Sequence, residues 1–301
     1  MLSDKYVNPF TDYGFKRLFG EEPNKDLLLD FLNELLYNEQ GRIVDLTYLK
    51  TEYTGYTLSD RKAVFDLYCE NEKGEKFLVE IQKTKQKFFK DRTLYYSTLP
   101  IREQAKKNEW DFKLEAVYVI AILDFIFDEN KEEPNKYRYD VKLTDIETHK
   151  VFYDKLTFIY LEMPKFNKTL NELESRFDKW LYLIRNLSRL DRVPDKFRER
   201  IFEKLFETAE IAKFTIEQAR NYEDSLKVYR DLKASFDTMY EEGMQKGMQK
   251  GMQKGIKEGI KEGIQKGMQK VALEMIKDNE PIDKIIKFTG LTKKQILSLK
   301  K

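Results

Sequence analysis

Apolar residues recur at helical spacing from the start of the chain. Asn8 to Gly20 carries Phe10, Phe15, Leu18 and Phe19, and after Pro23-Asn24 the segment Lys25 to Tyr37 carries a stripe of Leu27, Leu28, Phe31, Leu32, Leu35 and Leu36. Two helices are predicted there. The period then shortens to that of strands, over Ile43 to Tyr53, Ala63 to Cys69 and Phe77 to Gln82, the last two separated by a polar loop containing Gly74. Phe88 to Lys107 predicts a helix, the apolar run Leu114 to Phe127 a central strand, and Tyr137 to Ile146 and Val151 to Leu161 two more strands. After Pro164 the helical period returns in Leu170, Leu173, Phe177, Trp180, Leu181 and Ile184, and Phe197 to Tyr240 continues in helix-forming residues. Helices, then strands around a helix, then helices predict a mixed α/β sheet with a helical extension.

At 301 residues the chain exceeds the ~150 expected of one domain. The pattern divides it into an α/β core over 1–165, a helical extension over 166–240, a glycine repeat over 241–270 and a small helical hairpin over 271–301. The longest apolar run, Ala116 to Leu123, ends at Asp124 and falls far short of the ~20 residues of a membrane-spanning helix. No membrane association is expected, and without a secretory leader pattern at the N-terminus the cytosol is the expected compartment. Cys69 and His149 are single. An intramolecular disulfide and a Cys/His zinc site are thereby excluded, His149 is assigned no catalytic part, and this argues against a histidine-centred nuclease and a Ser-His-Asp hydrolase. Any chemistry falls to carboxylates, amides and lysines. A net charge of +2 does not announce a nucleic-acid binder, so phosphate affinity has to come from local clusters.

One such cluster follows a pair of acids. On the strand Phe77 to Gln82, Phe77, Val79 and Ile81 share one face and Leu78, Glu80 and Gln82 the other. On the preceding strand Phe65, Leu67 and Cys69 are expected on one face, with Val64, Asp66 and Tyr68 on the other. Gly74 suits the left-handed third position of a loop Glu72-Lys73-Gly74, which sets Asn71 opposite Glu75 and hence Asp66 opposite Glu80. Two like charges ~5 Å apart at Cβ repel. Either a divalent cation such as Mg²⁺ or Mn²⁺ offsets this, with the Ile81 carbonyl as a further ligand, or both acids lie on a solvated sheet face. Lys83, Lys85, Lys87, Lys90 and Arg92 follow within ten residues, opposed locally by Asp91 alone. They either neutralise nucleic-acid phosphates or form a solvated run. Tyr95, Tyr96 and Gln104 on the next helix either pack or brace the site.

Phe-Asp66-Leu-Tyr and Val-Glu80-Ile-Gln82, with thirteen residues between the acids, resemble the active hairpin of the PD-(D/E)XK nuclease superfamily. The closer likeness is to the Rpn family of recombination-promoting nucleases, also described as transposases. Thr11-Asp-Tyr-Gly-Phe-Lys-Arg-Leu-Phe19 and the glycine-rich tail resemble that family too. The likeness extends over most of the chain and is most specific over residues 1–125. It implies a restriction-endonuclease-like mixed central sheet flanked by helices. It further implies Asp66 and Glu80 as ligands of Mg²⁺, DNA as substrate, and Gln82 in the place of the superfamily's lysine. Glutamine can hydrogen-bond a water but brings no positive charge. A regular strand would turn Lys83 to the other face, leaving Lys85 or a helix lysine as the substitute charge. Asp12 either joins the metal site from the first helix or, like Thr11, caps that helix. The implied function is a Mg²⁺-dependent DNA endonuclease of recombination, mobile elements or phage defence; the alternative is an inactive nuclease-fold binding protein or a self-associating regulator.

From Gly243 to Gly267 glycine recurs every fourth residue, each time followed by Met or Ile. The intervening Lys, Gln and Glu exclude a transmembrane helix. A four-residue step advances the stripe ~40° around a helix, so it wraps as it climbs. Seven glycines cost ~7 kcal/mol against alanine. The segment is therefore either a mobile tether or packs closely on another helix, as in a homo-oligomer joined through 243–268. Pro281 to Phe288, Thr289-Gly290 and Thr292 to Leu299 read as helix, turn, helix around Ile282, Ile285, Ile286, Leu291, Ile296 and Leu299, an outline shared by DNA-binding modules and ordinary hairpins.

Overall fold

The computed structural model describes residues 4–37, 41–53, 63–105 and 111–299. Its centre is a six-stranded mixed sheet. In chain order the strands are β1 (Leu46–Tyr48), β2 (Glu52–Tyr53), β3 (Ala63–Val64), β4 (Leu67–Asn71), β5 (Lys76–Gln82), β6 (Val117–Leu123), β7 (Arg138–Thr144) and β8 (Val151–Glu162). The large sheet runs β1-β4-β5-β6-β8-β7, while β2 and β3 form a separate two-stranded ribbon. β5, β6 and β8 are mutually parallel and the outer pairings antiparallel. β6 is buried along its whole length, as expected of a parallel strand covered on both faces, which explains the unbroken apolar run.

The helices are α1 (Asp12–Phe19), α2 (Lys25–Leu35), α3 (Phe89–Glu103), α4 (Arg176–Asn186), α5 (Arg200–Ala209), α6 (Ile216–Lys277), α7 (Ile282–Thr289) and α8 (Lys293–Leu299). Two apolar layers cover the sheet. Phe77, Val79 and Ile81 pack with Phe15, Leu32, Trp180, Phe202 and Tyr222 from α1, α2, α4, α5 and the start of α6. Leu78, Val119 and Tyr160 pack on the other face with Phe89 and Leu99 of α3. Trp180, fully buried, donates its indole N–H to Asp30 Oδ1 at 2.7 Å, and Arg176 grips the same carboxylate from one turn earlier.

The first residues are held by the far end of this unit. Val7 N–H donates to the Ala209 carbonyl at 3.0 Å and Ile211 N–H to the Lys5 carbonyl at 3.1 Å. Asn8 N–H donates to the Tyr222 hydroxyl at 2.8 Å, and Tyr13 N–H to Ser225 Oγ at 3.0 Å.

Several predicted elements differ in detail. The stretch Ile43 to Tyr53 holds two short strands, and Ala63 to Cys69 is broken between β3 and β4. Leu170–Glu172 is a single 3-10 turn closed by a capping box with Thr169, and α4 starts only after Ser175, whose side chain accepts from Asp178 N–H. The expected helix from Phe197 to Tyr240 is interrupted between Ala209 and Ile216. The expected end of the α3 segment at Lys107 lies outside the described residues.

The chain divides into compact units 1–234 and 235–301. In the second, Gly290 at φ +66° ends α7, and Ala272, Ile285, Leu291 and Ile296 form a small core. Ile286 and Leu299 pack against it as expected; Ile282 is not among them. The stripe from Met244 to Met268 is exposed, and a Cβ built on any glycine from Gly243 to Gly267 meets nothing within 4 Å. Among the described residues no helix is long and apolar enough to cross a membrane.

Candidate active site

The β4–β5 hairpin is set by its loop. Asn71 Oδ1 accepts the N–H groups of Lys73 and Glu75 at 3.0 Å, Asn71 N–H donates to the Glu75 carbonyl, and Gly74 takes φ +79°. The register that follows pairs Leu67 with Val79, so one step further Asp66 faces Glu80, as the sequence predicts.

At that step the ladder changes character. Ile81 N–H donates to Asp66 Oδ2 at 2.7 Å, a carboxylate standing where a strand carbonyl would be. Asp66 N–H in turn donates to Glu80 Oε1 at 3.3 Å. The two acids are interlocked through each other's strand. The cause is a kink: Phe65 packs with Tyr68 and Tyr96 in the α3 layer, whereas Leu67 and Cys69 lie in the opposite layer. The expectation that Phe65, Leu67 and Cys69 share a face is therefore corrected. Without the kink Asp66 would point squarely into one layer instead of toward Ile81.

Backbone direction adds a third oxygen. Lys76 N–H donates to the Ala116 carbonyl and the Gln82 carbonyl accepts from Asp124 N–H, so even positions of β5 address β6. Odd positions address the β4 side. The Ile81 carbonyl consequently faces the side on which Asp66 stands.

The pair lies in low dielectric. Glu80 is 5% exposed, and burial together with the Asp66 charge pushes its pKa up to about 8. Burial also raises that of Asp66, against the Ile81 N–H bond that lowers it. The nearest described cation to Glu80 is Arg92, with Nη2 at 3.9 Å from Oε2. A buried carboxylate, a half-buried one and a backbone carbonyl form a hard-oxygen donor set of the kind that divalent cations take.

Gln82 stands next along the same face. Its Oε1 accepts from Arg92 Nη2 at 2.6 Å, and its Nε2 donates to the Thr84 carbonyl at 2.8 Å. Both ends of the amide thus have partners within the protein. The Arg92 guanidinium lies over the rings of Phe89 and Tyr96, at 4.8 and 5.7 Å from their centroids.

The remaining candidates separate. Thr11 caps α1 by accepting Gly14 N–H at 3.0 Å, which leaves Asp12 free of that duty. Asp12 pairs with Lys16 at 3.0 Å and raises the pKa of Asp66 through space. Among the described residues no three Asp, Glu, His or Cys side chains gather closely enough to hold a metal, so Asp12 stands outside the pair. Lys83 is within electrostatic reach of Asp66 and Asp12, and burial lowers its pKa. It acts on Asp66 from the side of α1, which carries Asp12 and Lys16, and not from the face that Glu80 and Gln82 share. Lys85 and Lys90 are ion-paired with Asp128 and Glu129, and Lys87 lies over the Phe88 ring. Asp91 is therefore not the cluster's only opposition. Tyr95 is partly exposed, and Gln104 clamps the Glu115 backbone through both amide ends.

Sequence reasoning missed the support behind the cluster. Buried Glu162, at the end of β8, accepts Phe127 N–H and Asn130 Nδ2–H through Oε1 and pairs with Lys165 at 2.8 Å. It holds the turn that presents Asp128 and Glu129. An acid closing the apolar half of that strand, Leu156 to Leu161, was the available signal. Asp124 is likewise bound by Tyr229 from α6 at 2.8 Å.

No curated protein and no solved structure matches the chain. A family model does, and its match over residues 9–239 takes in α1, the acid hairpin, the whole sheet and the helices that bury it. The chain belongs to the PD-(D/E)XK nuclease family transposases.

Proposed function

We propose that this nuclease-family chain is a Mg²⁺- or Mn²⁺-dependent endonuclease that hydrolyses DNA phosphodiester bonds. The observation that carries the reading is the interlocked pair: buried Glu80 and half-buried Asp66, each bound to the other's strand, with one arginine at 3.9 Å. Placing two carboxylates this way disfavours the metal-free fold, and a bound cation offsets that cost.

Asp66, Glu80 and the Ile81 carbonyl would hold the ion, which when bound polarises the scissile phosphate and lowers the pKa of water. The residues of the chain do the rest. The Ile81 N–H fixes the Asp66 carboxylate, and the Asp66 N–H fixes that of Glu80, so neither needs to reorganise. The pair must be deprotonated to bind a cation, so affinity rises with pH across the range set by Glu80. Lys83, Lys85, Lys87, Lys90 and Arg92 provide positive charge near the strand's exit, with Lys85 and Lys90 exchanging Asp128 and Glu129 for phosphate. Binding should weaken steeply with salt. The family's transposase character supports DNA cutting in recombination or mobile-element biology, with phage defence a related setting.

A second reading has its own observation. Gln82 is committed to Arg92 and Thr84, which favours an inactive nuclease fold that binds DNA or regulates through its exposed tail stripe. Nicking of supercoiled plasmid by the full-length protein decides between them. We expect cleavage with Mg²⁺, none with EDTA, and at least a hundredfold loss in Asp66→Ala and Glu80→Ala, the scale on which essential electrostatic groups act. Metal-independent cleavage, or parental rates in either variant, would reject the first reading.

A further inference from the structure

Basic residues lie on α1 and follow the acid hairpin, and several of them are paired elsewhere. Lys16 is paired with Asp12, Lys85 with Asp128 and Lys90 with Glu129. Lys83 addresses Asp66 and Asp12 from the α1 side. Among the described residues only Arg92 reaches Glu80 and Gln82 from the α3 side. Its approach is built by the backbone: Phe88 takes φ +61° ahead of α3, and Arg92 N–H donates to the Phe88 carbonyl one turn in. Two rings hold the guanidinium plane, Gln86 Oε1 accepts from Nη1, and Nη2 is left to Gln82. Nε is buried with no hydrogen-bond partner among the described residues. A guanidinium held this way loses little entropy on acting.

We propose that Arg92 is the positioning residue that restores, through Gln82, the positive charge a lysine would supply at that strand position. This rests on the nuclease reading above. Arg92 fixes the Gln82 amide by its oxygen and places a permanent charge one hydrogen bond behind it. The site then has the dipole and cation of a lysine split over two side chains.

The test uses full-length Arg92→Ala, Arg92→Lys, Lys83→Ala and Glu80→Ala. Plasmid nicking is measured under single turnover at saturating DNA, alongside DNA affinity in Ca²⁺ and thermal melting. Arg92→Ala should nick about a hundredfold more slowly. Its Ca²⁺-supported DNA affinity should change by less than about threefold, since it neutralises at most one phosphate. Arg92→Lys should recover part of the rate. Added guanidinium ion should rescue Arg92→Ala but not Glu80→Ala, which a merely structural role would not produce. A loss that disappears at saturating DNA would reduce Arg92 to a phosphate tether and overturn the proposal. So would a parental rate in Arg92→Ala, or a loss confined to Lys83→Ala. If Arg92→Ala does not fold, Arg92→Lys decides: a full hundredfold loss in a folded protein with no guanidinium rescue also overturns it. A parental protein that cleaves no better than Glu80→Ala rejects the nuclease reading itself, and this assignment with it.

Discussion

Glu80→Gln isolates the electrostatic cost of the acid pair. It removes the charge and keeps a side-chain oxygen for Asp66 N–H, which Glu80 Oε1 accepts at 3.3 Å. In the metal-free protein the pKa of Glu80 is pushed up to about 8 from an ordinary 4.5. The folded state then binds this proton more tightly than the unfolded chain, so stability is intact below the ordinary value and falls as pH rises toward the folded one. Each pH unit in that window costs at most about 1.4 kcal/mol. Because Asp66 shares the titration, roughly 3 kcal/mol is the working expectation for the whole window. Glutamine does not titrate. Glu80→Gln should therefore match the parent near pH 5 and exceed it by roughly 3 kcal/mol near pH 8.5. Urea denaturation in EDTA at stepped pH measures this directly. Mg²⁺ should narrow the gap at high pH by stabilising the parent alone. A stability difference that is flat with pH, or a variant less stable than the parent near pH 8.5, would refute the account of a buried acid repelled by its neighbour.

Three further outcomes are expected. Gln82→Lys sets an ammonium against Arg92 Nη2, 2.6 Å from the present amide oxygen; alone it should slow nicking about tenfold, but combined with Arg92→Ala it should exceed Arg92→Ala. Equal effects of Gln82→Lys in both backgrounds would argue against the contact. Gly74→Val should cost about 1–2 kcal/mol through its φ of +79°, not through crowding, since the nearest atom to a Cβ there is Glu115 Cγ at 3.6 Å; an unchanged melting temperature would mean that the turn relaxes freely. Ending the chain after Tyr240 should leave a folded core and, if the exposed Met and Ile stripe joins copies, a smaller species by light scattering; identical subunit number before and after truncation would rule out association through the repeat.

What the sequence disclosed was governed by local rules. Gly74 and the three-residue loop determine the register, and with it the opposition of Asp66 and Glu80, because hairpin pairing counts outward from the turn. The buried run of β6 was legible for the same reason, each residue reporting its own surroundings. The kink after Phe65 was not, since alternation assumes a continuous strand and only the Ile81 N–H left without a strand partner reveals the break. Arg92 looked like one more charge in a basic run. Its distinction depends on a helix folding back over β5, and the neutralising acids Asp128 and Glu129 arrive from a turn some forty residues later.

The hold of residues 209–225 on the first turns of the protein has a consequence for timing. α1 carries Asp12 and Lys16, which act on Asp66, yet its docking partners Ala209, Tyr222 and Ser225 are made about two hundred residues later. At ribosomal speeds that interval is roughly 10–40 s. Throughout it the acid hairpin has emerged while the layer that buries it from the α1 side is incomplete. Contacts of such sequence separation also form late in folding itself. A nascent or prematurely terminated chain thus carries the acids without their finished surroundings, and assembly of the site waits on translation passing Ser225.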